Sequence, residues 1–157
     1  TEVFNFSLKE NIVMANPSAG RDKSFLARAM QTAHVSDFVS KLPEGIETLI
    51  GEKGVKLSGG EKQRLGIARA IFKQPEILFM DEATSHLDLE SEEKIRDSLH
   101  KFFKGITAVV IAHRLTTIKQ MDRIIVLEGG RIIEQGSFDE LMKQEGRFYT
   151  LWQKQQL

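Results

Sequence analysis

Eight consecutive residues, Leu57, Ser58, Gly59, Gly60, Glu61, Lys62, Gln63 and Arg64, carry the densest chemical signal in the chain. Ser58 can cap a helix, its hydroxyl accepting from a backbone N–H one turn in, while Glu61 can reach back to the Ser58 amide as a capping box. Two glycines directly after a cap form helix poorly, so their presence needs another reason. Lacking side chains, Gly59 and Gly60 let a partner approach the first N–H groups, where the helix dipole is positive. Such a place suits an anion, most often phosphate. The alternative is an ordinary cap following a glycine turn.

Ile77, Leu78, Phe79 and Met80 form a short apolar run that ends in two acids, Asp81 and Glu82. Four bulky apolar residues in succession predict a strand buried on both faces, as in a parallel sheet. Carboxylates at the C-terminal end of such a strand stand where open α/β sheets hold their ligands. Asp81 can hold Mg²⁺ directly or through water, and Glu82 can orient or deprotonate an attacking water. Ser85, His86, Leu87 and Asp88 follow, and a second apolar run over 108–112, expected as a buried strand, delivers His113 at its end. An imidazole there can sense or stabilise a phosphate.

Taken together and in this order, these parts resemble the nucleotide-binding domain of ATP-binding-cassette (ABC) proteins. Residues 57–61 match the family signature, and 77–82 match the Walker B strand with its catalytic glutamate. Residues 85–88 match the D-loop, and His113 matches the switch histidine. The resemblance covers essentially the whole chain. It implies an α/β, partial P-loop NTPase (ABC ATPase) fold: a helical subdomain over about 7–74 with the signature, then Walker B, D-loop, switch histidine and the C-terminal part of a mainly parallel RecA-like sheet core over about 75–157.

The chain has 157 residues, long enough for one domain burying roughly two thirds of its unfolded surface. Lys+Arg and Asp+Glu are both 22, so no global field attracts nucleic acid. No apolar run approaches membrane-spanning length, no signal peptide is visible, and no internal repeat or low-complexity segment stands out. Cysteine is absent, which fits a reducing compartment. The first residue is Thr1 rather than Met, which reads as a processed chain or a piece of a longer one.

Residues 1–14 read as an apolar strand or loop entering a helical turn capped by Ser7. They are similar to the exporter pattern F-x-x-(S/T)-(I/L)-x-E-N-I that follows the Q-loop, which places the Q-loop glutamine just upstream of Thr1. Residues 22–42 have helical patterning punctuated near Ser36 and by Pro43, Glu44 and Gly45, with His34 between helices as a surface or interface histidine rather than a ligand. In the family this stretch faces the transmembrane part. Gly51, Glu52, Lys53 and Gly54 form a turn. In exporters the matching loop touches the coupling helices of the membrane domain, which makes Glu52 the expected contact.

The signature helix continues through an apolar face of Leu65, Ala68, Ile71 and Phe72 and stops before Pro75, with Arg69 expected on its solvated side. Ile95, Leu99, Phe102 and Phe103 recur at helical spacing opposite Glu92, Glu93, Lys94 and Arg96, and Gly105 ends that helix. Residues 123–127 and 131–135 are β-rich and joined by Glu128, Gly129 and Gly130, a hairpin signal. Ser137 then caps a short helix through Leu141, and the last helix carries Phe148, Leu151 and Trp152 as core or docking residues. Nucleic-acid binding is not expected.

No G-x-x-x-x-G-K-[S/T] occurs in the chain, so the loop that cradles phosphates with backbone N–H groups and a lysine is expected outside it. The adenine-stacking aromatic should lie near that loop. The chain therefore resembles the C-terminal part of an ABC domain, less stable than the whole because the phosphate-loop strand is missing. The resemblance implies ATP hydrolysis between two domains packed head to tail, with Leu57, Ser58, Gly59, Gly60, Glu61 and Asp88 meeting nucleotide across the interface. Asp81 would hold Mg²⁺, Glu82 would polarise water, and His113 would bond the γ-phosphate. Phosphoryl transfer depends on positioning, so the chain alone is expected to be inactive.

Ala83 after Glu82, Arg114 and Leu115 after His113, and the Glu52 loop point to an exporter on the cytoplasmic face of a membrane. Glu61 stands where Gln is commoner in the signature, and still serves the capping box. His86 stands where Ala is common in the D-loop, and reads as a tolerated exposed side chain rather than a pH-sensitive contact. A soluble ABC ATPase of DNA repair or translation is the competing reading. Those proteins usually carry long coiled-coil or basic insertions, and none is present.

Overall fold

The computed structural model describes residues 2–81, 89–111 and 114–155. The chain divides into two compact units, residues 1–109 and 110–157.

The first unit is mainly helical. Helix α1 (Leu8–Val13) begins at Ser7, where the predicted cap is present as a full capping box with Glu10. A 3₁₀ turn (Pro17–Arg21) leads to α2 (Lys23–Thr32), capped by the Asp22 carboxylate, which accepts from the N–H groups of Ser24 and Phe25. The break expected near Ser36 lies over residues 33–35, with His34 between the helices as read. His34 takes φ +54° just past α2, and the Val35 N–H closes back on the Met30 carbonyl at 2.8 Å. That is a Schellman closure with histidine in the left-handed position glycine usually fills. Short α3 (Ser36–Val39) follows.

A second 3₁₀ turn (Gly45–Glu47) precedes an extended stretch that returns to the start of the chain. Ser7 and Leu49 bridge antiparallel, with the Leu8 N–H donating to Thr48 O at 3.0 Å and the Ile50 N–H to Phe6 O at 3.0 Å. Helix α4 (Gly59–Phe72) buries Leu65, Ala68, Ile71 and Phe72, the face expected from their spacing. It ends as Gln74 turns to φ +56° before Pro75, which cannot continue a helix. Phe72 meets Phe25 of α2 with ring centroids 5.3 Å apart. Helix α5 (Leu89–Phe103) adds Ile95 and Leu99 to this core, and Gly105 follows with φ +108°.

Strand β1 (Ile77–Asp81) pairs with β2 (Thr107–Ile111), the Thr107 N–H donating to Glu76 O at 3.0 Å. Both strands are present, and within this chain they are covered on one face. Only Leu78 of β1 is buried, while Ile77 and Phe79 are 57% and 75% exposed. Val109 and Ile111 of β2 are likewise exposed. Among the described residues the helical core covers the face of β1 that carries Leu78 and Met80, and the alternating Ile77 and Phe79 stand on the other.

The second unit opens with α6 (Leu115–Ile118). The predicted hairpin is present as β3 (Ile124–Glu128) and β4 (Arg131–Gly136), antiparallel, with Glu128 opposite Arg131 and a register shift after Val126. Gly129 and Gly130 take φ +56° and +74°, the two positive angles of a type I′ turn. Ser137 caps α7 (Phe138–Gln144) by a capping box with Glu140. In α8 (Arg147–Gln155), Phe148 joins Ile124, Val126 and Leu141 in a small core, and Trp152 is half-buried. Phe138 stacks edge-on against both Phe148 and Trp152, at 5.8 and 4.8 Å.

Candidate functional site

The capped helix start exists as expected. Ser58 is extended at φ −62°, ψ 166°, and its hydroxyl accepts from the Glu61 N–H at 3.3 Å. The Glu61 carboxylate accepts from the Ser58 N–H at 2.8 Å. Leu57, just before the cap, is buried and anchors the turn in the core. The tip itself faces outward: Ser58 and Gly59 are exposed and Gly60 is half-exposed. Among the described residues, the N–H groups of Gly59 and Gly60 donate to no protein acceptor. Two free N–H groups without a shielding side chain, at the positive end of a helix of 14 residues, fit a phosphate oxygen.

Asp81 closes β1 and is exposed, available to a cation. No group of three or more metal-ligating side chains occurs among the described residues. The other expected site residues, Glu82, Asp88 and His113, lie outside the described residues, as does His86.

The loop over 51–54 is fixed from below and open above. Gly51 has φ +103°, and a Cβ there would stand 2.7 Å from Asn5 Oδ1 and 3.1 Å from Phe4 O. A Cβ on Gly54 would collide with the Leu49 carbonyl, its carbon lying 2.6 Å away. The Lys53 N–H donates to Asn5 Oδ1 at 3.1 Å, and the Val55 N–H to Leu49 O at 2.9 Å. Glu52 and Lys53 are exposed, as are Phe4, Phe6 and Leu49, whose main chain lies against or bonds the loop and its approach.

His34 makes contacts through both ring nitrogens. One ring nitrogen, Nδ1, is 3.2 Å from Asp37 Oδ2, and Nε2 is 3.1 Å from Ser98 Oγ on α5.

Arg69 overturns its expected place on a solvated face. Its Nε donates to Asn11 O at 2.7 Å, Nη2 to Asn11 Oδ1 at 3.1 Å and Nη1 to Glu2 O at 3.0 Å. The guanidinium lies over the Phe4 ring, 5.5 Å from its centroid. Burial lowers its proton affinity, and the Glu2 carboxylate opposes that shift. The physical reason is that α1 packs directly on α4, and the carbonyl at the end of α1 needs a donor. Residues 68–70, Ala-Arg-Ala, carried a signal: small neighbours let the backbone of α1 come close enough for the arginine to reach it.

The sequence model described as ABC transporter matches residues 3–85. Curated relatives include the alpha-hemolysin translocation ATP-binding protein HlyB of Escherichia coli, 48% identical over 148 residues, or 94% of this chain and 21% of that protein. The ATP-dependent lipid A-core flippase of Syntrophus aciditrophicus is 46% identical over 155 residues, 99% of this chain and 26% of the flippase. Multidrug resistance protein 1 of Entamoeba histolytica is 46% identical over 156 residues, 99% of this chain and 12% of that protein. The chain thus spans between 12% and 26% of the length of these relatives. Among solved structures, a bacterial Atm1-family ABC exporter with ATP bound superposes with a TM-score of 0.87 at 40% identity, covering 98% of this chain and 26% of the exporter. The family's match over residues 3–85 takes in the capped glycine tip of α4 and the acid at the end of β1, and the chain belongs to the ABC transporter family.

Proposed function

We propose that the chain works as part of the nucleotide-binding domain of an ABC exporter, coupling ATP binding and hydrolysis to transport across a membrane. The observation that carries this is the exposed glycine tip of α4, whose free N–H groups suit a phosphate and serve no acceptor of the described chain. The tip faces away from its own core, which supports a role toward nucleotide held by a second nucleotide-binding domain packed head to tail. The names of the similar proteins, a toxin translocation protein and a lipid flippase among them, favour export over a soluble role in DNA repair or translation.

In this reading Leu57, Ser58, Gly59, Gly60 and Glu61 form the signature that meets the γ-phosphate of ATP, and Asp88 lines the same interface. Asp81 helps hold Mg²⁺, which neutralises phosphate charge. Glu82 takes the proton of the attacking water as its oxygen bonds to the γ-phosphorus and ADP departs, and His113 donates to the γ-phosphate. Residues 7–74 act as the helical subdomain and 75–157 as the catalytic core portion. Glu52, exposed on its loop, meets the coupling helices of a transmembrane domain at the cytoplasmic face. No described helix is long and apolar enough to cross a membrane. The chain contains no phosphate-cradling lysine loop, so by itself it is inactive.

The test is Mg²⁺-dependent ATP hydrolysis, measured on this chain and on a full transporter containing it. The transporter is expected to turn over and to lose ~100-fold or more in rate on Glu82→Gln. Steady hydrolysis by the isolated chain that disappears in Glu82→Gln, or full activity of the substituted transporter, would contradict this assignment.

A further inference from the structure

Asn11 is a polar side chain with no exposure, in the middle of a short helix. Its hydrogen-bonding capacity is used up. The amide oxygen accepts from the Phe4 N–H at 3.0 Å and from Arg69 Nη2 at 3.1 Å. The amide nitrogen donates to Phe4 O at 2.9 Å and Ser7 O at 3.1 Å, with Phe6 O at 3.4 Å. A core site that needed only packing would take leucine here, because a buried amide is costly unless every group is paired. What Asn11 provides is a grip on the main chain over residues 4–7.

That segment is in turn the base of the exposed loop. Phe6 O accepts from the Ile50 N–H, Asn5 Oδ1 accepts from the Lys53 N–H, and Gly51 packs against Phe4 O. On the other side, Arg69 fastens Asn11 to α4 through its backbone carbonyl and its side chain together, and its remaining donor reaches Glu2 O. Arg69 sits ten residues along the helix from Gly59, about 15 Å at the α-helical rise. Arg69, Asn11 and the main chain over residues 4–7 thus form a continuous hydrogen-bonded path from α4 to the loop that carries Glu52 and Lys53.

We propose that Arg69 and Asn11 are positioning residues, a hydrogen-bonded clamp that transmits movement of the phosphate-facing end of α4 to the exposed surface formed by Phe4, Phe6, Leu49 and the 51–54 loop. The consequence for transport rests on the function proposed above, whereas the clamp itself does not.

Two measurements test it. The first is amide hydrogen exchange on this chain with Arg69→Met, which keeps the aliphatic stem and removes the donors. Exchange at Phe4, Ile50 and Lys53 is expected to quicken by about tenfold or more, while the interior amides of α4 hold their protection. Asn11→Asp keeps the acceptor for Arg69 and for the Phe4 N–H but loses the donors to Phe4 O, Phe6 O and Ser7 O, and is expected to quicken exchange at Ile50 and Lys53 more than at Phe4. Equal acceleration throughout the first unit, or none anywhere, would overturn the clamp. The second is cargo transported per ATP hydrolysed in the full transporter, a ratio that a mere loss of folded protein would not move. Arg69→Met is expected to lower this ratio several-fold; an unchanged ratio would overturn the transmission. Absence of hydrolysis in the unsubstituted transporter would instead overturn the proposed function and leave the exchange result to decide the clamp.

Discussion

Glu61 and Ser58 hold each other reciprocally at the start of α4, the Glu61 carboxylate 2.8 Å from the Ser58 nitrogen and the Ser58 hydroxyl 3.3 Å from the Glu61 nitrogen. The pair occupies the N–H groups that would otherwise need water and leaves those of Gly59 and Gly60 outward. Ser58→Ala is expected to cost about 1 kcal/mol in urea unfolding of the chain. Glu61→Gln, whose amide oxygen still accepts, is expected to change stability by less than half as much.

Acid sensitivity follows from three exposed caps. Bonding from the Ser7 backbone, then its hydroxyl, lowers the Glu10 pKa, and bonding from the Ser137 backbone and hydroxyl lowers that of Glu140. The Asp22 carboxyl is lowered first by the Ser24 hydroxyl and then by the Phe25 N–H. A depressed folded pKa contributes stability that is present above the unfolded value and lost as pH falls through the folded one. The loss therefore begins below the ordinary values of 4.5 for glutamate and 3.8 for aspartate. Denaturation midpoints measured from pH 6 down to ~2.5 should fall, and Glu10→Gln with Glu140→Gln should flatten that fall. An unaltered acid limb in the double variant would contradict this origin.

Capping of α8 comes from a different element. Glu134 on β4 accepts from the N–H groups of both Arg147 and Phe148, the latter at 2.9 Å, and Gly146 is small because the same carboxylate fills the space of a Cβ. Glu134→Ala is expected to destabilise the second unit by roughly 1–2 kcal/mol. Trp152 is the sole tryptophan, and its fluorescence reports the transition through its contact with Phe138.

Local rules carried the sequence reading far. Three serine caps, the apolar faces of α4 and α5 and the hairpin after Glu128 all depend on neighbours within a few residues, so they were legible. The run over 77–80 discloses a strand, which is present, whereas the layers that cover it depend on sequence far away, and Phe79 is exposed within this chain. Arg69 was misread because its partner lies 58 residues away in α1. At the candidate site, the capped glycine start of α4 is visible in the spacing of Ser58, Gly59, Gly60 and Glu61, whereas Gly54 owes its identity to the Leu49 carbonyl, a contact that spacing does not disclose.

The most direct test of the account is ATP hydrolysis by a full transporter carrying Gly59→Asp. A carboxylate in the first turn suits the helix dipole, so the isolated chain with this change should be as stable as the parent or more so, by up to about 1 kcal/mol. The same carboxylate would stand where the proposed phosphate contact lies. A loss of ~100-fold or more in hydrolysis with stability retained is the expected result. Hydrolysis at close to the unsubstituted rate would contradict the claim that the glycine tip of α4 meets the nucleotide.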